Sequence, residues 1–105
     1  MRVIQLDGSA WKKPLDFYQA LFDGIEQGYP HGMGLDAFID SMIWRGMGGI
    51  EPPYKVLVTN LIGVPAEVCE EVSVMVSAIQ KARQERFESQ GIDVEVSISA
   101  PELDH

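Results

Sequence analysis

This sequence has one cysteine, Cys69, so no disulfide can close within the chain. A lone thiol suits a reducing compartment. Long apolar runs are missing too. No stretch approaches the roughly 20 residues that a membrane-crossing helix requires. The opening Met1-Arg2-Val3-Ile4-Gln5-Leu6-Asp7 is too short and too soon charged to read as a signal peptide. A soluble, cytoplasmic protein with no membrane partner is expected. Positive charge is scarce: 8 Lys and Arg stand against 16 Asp and Glu, a net charge of −8 over 105 residues. That balance argues against a nucleic-acid partner and favours a basic one. The shortage is also local. Asp16, Asp23, Glu26, Asp36, Asp40 and Glu51 face only Arg45 between Pro14 and Pro53. Charge asymmetry of this kind steers association with a basic protein.

The length suits one domain with a single core. Arg2 to Asp7 is rich in aliphatic side chains and closes at Gly8-Ser9, as a short strand does. From Pro14, the residues Leu15, Tyr18, Leu21, Phe22 and Ile25 recur at helical spacing until Gly28 stops them. Gly28 to Gly34 is a Gly/Pro loop, and a helix carrying Asp36 and Asp40 follows to about Trp44. Arg45 to Pro53, with three glycines and two prolines, reads as a flexible connection. Lys55 to Ile62 is a second strand, and its Val56-Leu57-Val58 run suits a central strand covered on both faces. Pro65 opens a long helix with Glu67, Glu70 and Glu71 near its positive end. Val68, Val72, Met75, Ile79 and Ala82 form its apolar stripe, and Gly91 stands where a left-handed residue is wanted. Ile92, Val94, Val96 and Ile98 then alternate with polar residues as a strand, and residues 100–105 read as a flexible tail after a domain of residues 1–99. The order β-α-α-β-α-β, with long helical crossovers, predicts a two-layer α/β domain: a parallel sheet with its helices packed on one side.

The functional signal concentrates in Gly32-Met33-Gly34-Leu35-Asp36-Ala37-Phe38-Ile39-Asp40. Asp36 and Asp40 are four apart, so a helix sends both carboxylates from one face, while Leu35 and Phe38 form its apolar underside. Two like charges at that spacing repel by a few tenths of a kcal/mol, about 0.2–0.5. A helix selected for stability alone would rather carry a lysine at one of them. A solvated polar face is the plain alternative. The glycine loop lacks the lysine and Ser/Thr of a phosphate cradle. His31, His105, Cys69 and the aspartates show no metal-ligand spacing. Asp36 and Asp40 have no nucleophile or orienting group beside them, so neither catalysis nor a cofactor is expected. Lys81, Arg83 and Arg86 make a basic strip too short for a nucleic-acid footprint. Trp11 reads as packing. Trp44, which ends the acidic helix, is the better interface residue.

Gly32-x-x-Leu35-Asp36-Ala37-Phe38-x-Asp40, with Phe17-Tyr18-Gln19-Ala20-Leu21 before it and Gly91-Ile92-Asp93 leading into the last strand, resembles the barstar family of intracellular inhibitors of small secreted ribonucleases. The likeness runs from the first strand to Ser99. It implies a three-stranded parallel sheet in order 1-2-3, a monomer that is not an enzyme, and a basic ribonuclease or related toxin, in a bacterial setting, as partner. By that resemblance Asp40 takes the place of an RNA phosphate in the target's active site, Asp36 is the second acidic contact, and Gly32 lies in the plugging loop. His31, Gly34, Ile39 and Trp44 complete the expected partner-binding set. The family's loop aromatics are replaced by Pro30 and His31, its asparagine by Gly34, and its interior tryptophan by Ile39. Its acidic residues near the end of the long helix are replaced by Arg86 and Gln90, with Glu85 and Glu88 as neighbours. A rebuilt rim of this kind suits a different toxin, or a partner that is not a toxin at all.

Overall fold

The computed structural model describes residues 2–26, 34–44 and 49–103. Strand β1 (Arg2–Asp7) leads to helix α1 (Pro14–Gly24), the short helix α2 (Leu35–Ile39) and a π-helical turn over Asp40–Trp44. Strand β2 (Tyr54–Thr59), the long helix α3 (Ala66–Gln90), strand β3 (Val96–Ser99) and a 3-10 turn at Pro101–Leu103 follow. The sheet is parallel in order β1-β2-β3. Its register aligns the inward residues in rows: Ile4 beside Val56 beside Ile98, and Leu6 beside Val58.

The helices cover one face of this sheet. Tyr54, Val56 and Val58 are buried, whereas Lys55, Leu57 and Thr59 between them are only partly covered. The Val56-Leu57-Val58 run therefore marks the central strand but not burial on both faces. Leu57 belongs to the open side and is sheltered by its strand neighbours. On the covered side, Phe17, Leu21, Phe22 and Ile25 meet Val68, Val72, Met75 and Ile79 of α3 in one continuous core. The α3 residues are the helical stripe expected from their spacing. At Gly24, α1 approaches β1 so closely that a Cβ would lie 3.0 Å from Ile4 Cγ2 and 3.2 Å from Leu6 Cδ2.

Several boundaries differ from those expected, each for an identifiable reason. Helix α1 ends at Gly24 rather than running toward Gly28, which lies outside the described residues. The Ile25 carbonyl is taken by the Ile50 N–H at 2.8 Å, and Glu26 turns to φ 60°. Ile50 is buried, so the expected flexible connection is anchored at this point. Strand β2 stops at Thr59 because Asn60 adopts φ 61°, and Ile62 is left in an exposed turn. Strand β3 begins at Val96, not Ile92. Pro52 and Pro53, next to the start of β2, have no N–H to extend the ladder; Ile92 is exposed and Val94 only partly buried. Gly91 does cap α3 in the left-handed conformation, φ 70°, and its N–H bonds the Phe87 carbonyl at 2.8 Å.

The expected tail is packed as far as Leu103. Ala100 is buried, and the Glu102 carboxylate accepts the backbone N–H groups of Asn60 and Leu61, each at 2.7 Å. Among the described residues, no helix is long and apolar enough to cross a membrane.

Candidate functional site: an acidic helix against the long helix

Leu35 to Ile39 is too short to hold together as an isolated helix. It is held by its underside. Phe38 is fully buried and lies 6.3 Å, ring to ring, from Phe22, while Met42 and Ile43 of the π turn are buried behind it. The backbone N–H of Asp40 still bonds the Asp36 carbonyl, so the turn between the two aspartates is α-helical. Both carboxylates are exposed, on the face the sequence spacing predicted. The wider π turn begins at Asp40, the second of the pair. Such turns inside helices are uncommon and recur at functional sites. Here the turn draws Met42 and Ile43 inward and leaves Trp44 37% exposed.

Of the expected partner-binding residues, Asp36, Ile39, Asp40 and Trp44 fall on this helical segment, and Gly34 immediately precedes it. Gly32 and His31 lie outside the described residues. Gly34 is the residue before α2. Its φ of 170° is extended backbone open to any residue, and a Cβ there would meet nothing within 4 Å. No steric demand explains glycine at this position. Ile39 and Trp44 form one wall of a groove of about 220 Å³, with Ala78, Lys81, Ala82 and Glu85 of α3 opposite. The groove adjoins Asp40 through Ile39, its chain neighbour.

Two features escaped the sequence reading. The Tyr18 hydroxyl on α1 donates to Glu71 on α3. Burial first, then the Glu71 carboxylate and the nearby charge of Asp36, raise the Tyr18 pKa above its ordinary value. The acidic face thus extends from α2 toward Glu71, whose sequence signal was only that of an acid near a helix start. The second feature is Arg86, which donates to the carbonyl oxygen of Ile43 in the π turn. The expected basic strip does not act as a unit. Arg83 pairs with Asp93 at 2.6 and 2.9 Å, Lys81 lines the groove, and Arg86 reaches across to the acidic segment. Nothing local in sequence marks a contact between residues 43 apart.

Cys69 is a partly buried boundary residue, its Sγ 3.8 Å from the Val64 carbonyl oxygen. Among the described residues, no group of three or more His, Cys, Asp or Glu side chains could hold a metal ion. Comparisons of this chain with family models, with curated proteins and with solved structures find no match.

Proposed function

We propose that this protein is a non-enzymatic, cytoplasmic, monomeric inhibitor or immunity protein that blocks the active site of a basic ribonuclease or similar toxin. In this reading Asp40 sits where an RNA phosphate would, and Asp36 makes a second contact. The observation that carries it is the short helix itself: two exposed carboxylates one α-turn apart, on an element whose other side is anchored by Phe38, Met42 and Ile43. A carboxylate in that position can take paired hydrogen bonds from an arginine that otherwise grips phosphate. Trp44 and Ile39 flank the pair with apolar surface, and a net charge of −8 steers a basic partner toward it. The likeness of residues 32–40 to the barstar motif adds the target class.

The test is RNA cleavage by a panel of small basic ribonucleases, each titrated with this protein and with Asp40→Ala. Stoichiometric inhibition by the wild type is expected. In the variant it weakens by about 3–5 kcal/mol, the cost of leaving a buried partner charge unpaired. The association rate should also fall steeply as salt rises. If no ribonuclease is inhibited, the toxin reading gives way to a binding module with a different partner, found by affinity capture with Asp36→Ala/Asp40→Ala as the control. Capture that survives both substitutions would remove the acidic face from the interaction.

A further inference from the structure

The last carbonyls of a helical segment have no partner inside it. In the π turn this deficit falls next to Trp44, the exposed end of the proposed partner face. Arg86 answers it from α3: Nη1 donates to the Ile43 carbonyl oxygen, and Nε donates to Gln90 Oε1 at 3.3 Å. A guanidinium there also meets the negative end of the helical dipole. The same bond joins the two walls of the groove, since Ile39 and Trp44 belong to the acidic segment and Lys81 and Glu85 to α3. The other arginine of this stretch, Arg83, is engaged with Asp93.

We propose that Arg86 is a positioning residue for the partner face: its guanidinium clamps the end of the π turn and so fixes the segment carrying Asp40 and Trp44 before a partner arrives. Fixing a surface in its bound form removes part of the ordering cost of association, and among variants of one interface the gain shows mainly in dissociation. The benefit to binding rests on the reading of Asp36 and Asp40 given above. The clamp does not, because it belongs to the free chain and is tested there.

Amide hydrogen exchange and acrylamide quenching are measured on the free wild type, Arg86→Met, Arg86→Lys and, as a control, Arg83→Met. Arg86→Met should speed exchange at Met42, Ile43 and Trp44 by about tenfold or more, the loss expected for a hydrogen bond from a charged donor. The Val56 and Val58 amides of the central strand should stay within about twofold. Quenching should rise, and it reports Trp44 because Trp11 is buried. Arg86→Lys should restore part of both. Unchanged exchange at the π turn would overturn the proposal, as would acceleration in step with Val56 and Val58 or an equal effect from Arg83→Met. If Arg86→Met does not fold, Arg86→Gln and Arg86→Lys are compared at the same amides by the same criterion. Once a partner is in hand, a faster dissociation of Arg86→Met at unchanged association supports the positioning role, and an unchanged dissociation rate overturns it. Binding indifferent to Asp40→Ala would instead remove the reading of the face and leave the exchange result standing.

Discussion

At the carboxyl end of the sheet, acidic side chains turn back on their own chain. Asp7 accepts the Ser9 N–H at 2.9 Å and the Asn60 amide at 3.2 Å, and Glu102 accepts the N–H groups of Asn60 and Leu61. On the short helix, Asp36 and Asp40 share an exposed face, and the stability of that element comes from the apolar side beneath them. The first group of acids satisfies backbone donors that a tight turn would otherwise leave unpaired. The second leaves backbone capping to no side chain, since Gly34 before α2 offers none. Negative charge caps backbone donors in one region and lies on an exposed helix face in the other, along a chain with a net charge of −8.

The largest test of this division is Phe38→Ala. If the acidic helix is held by its underside, deleting a fully buried ring that stacks on Phe22 costs about 3–5 kcal/mol in urea unfolding. A loss below about 1 kcal/mol would mean that the helix is only loosely attached, and the contrast between the regions would fail. Next comes Glu102→Ala. It strips the acceptor from two backbone N–H groups in the β2–α3 turn and should cost about 1–3 kcal/mol, with the Leu61 amide losing exchange protection first.

Tyr54→Phe probes an inward hydroxyl that the described residues leave unpaired. The Tyr54 hydroxyl is buried with no hydrogen-bond partner among the described residues, so its removal should leave stability unchanged or raise it by about 1 kcal/mol. The same residue shapes the response to base. Burial raises the pKa of Tyr54, and burial with Glu71 and Asp36 raises that of Tyr18, from the ordinary value of 10.0. Folded-state values above the unfolded one mean that their contribution is complete below about pH 10 and is lost as pH rises toward those higher values. Tyr54→Phe should flatten this alkaline decline. On the acid side the sign reverses. The Ser9 and Asn60 bonds hold Asp7, the Lys12 N–H holds Asp16, and Arg83 holds Asp93, each below its ordinary 3.8. Their contribution is present above about pH 3.8 and disappears as pH falls through the lower folded values. Asp93→Asn should make that limb shallower in a pH series of urea midpoints.

The parts of this molecule that were legible in sequence are those whose cause is local. The α3 stripe from Val68 to Ala82, the left-handed Gly91 and the shared face of Asp36 and Asp40 each follow from spacing or from one residue's geometry. Most of the misplaced ends depend on a neighbour far along the chain. Strand β3 shortens because of Pro52 and Pro53, α1 ends where Ile50 takes the Ile25 carbonyl, and the last residues pack because Glu102 reaches Asn60. The site divides the same way. Its carboxylates were readable, but the groove opposite Trp44 and the Arg86 bond to Ile43 exist only once α3 lies against the acidic segment.

Asp36→Asn carries the smallest stability effect and isolates the contrast most directly. It keeps the shape of the side chain and removes one charge from a pair spaced four apart, so the i,i+4 repulsion is relieved by about 0.2–0.5 kcal/mol. At alkaline pH, where Tyr18 begins to ionise, removing the nearby charge of Asp36 acts in the same direction. Urea unfolding should therefore show an unchanged or slightly raised midpoint. If Asp36 instead supported the fold as Glu102 does, the midpoint would drop and the Phe38 and Met42 amides would lose protection. A stability gain combined with weaker partner binding is the signature expected of a charge retained for recognition at a small cost to the fold.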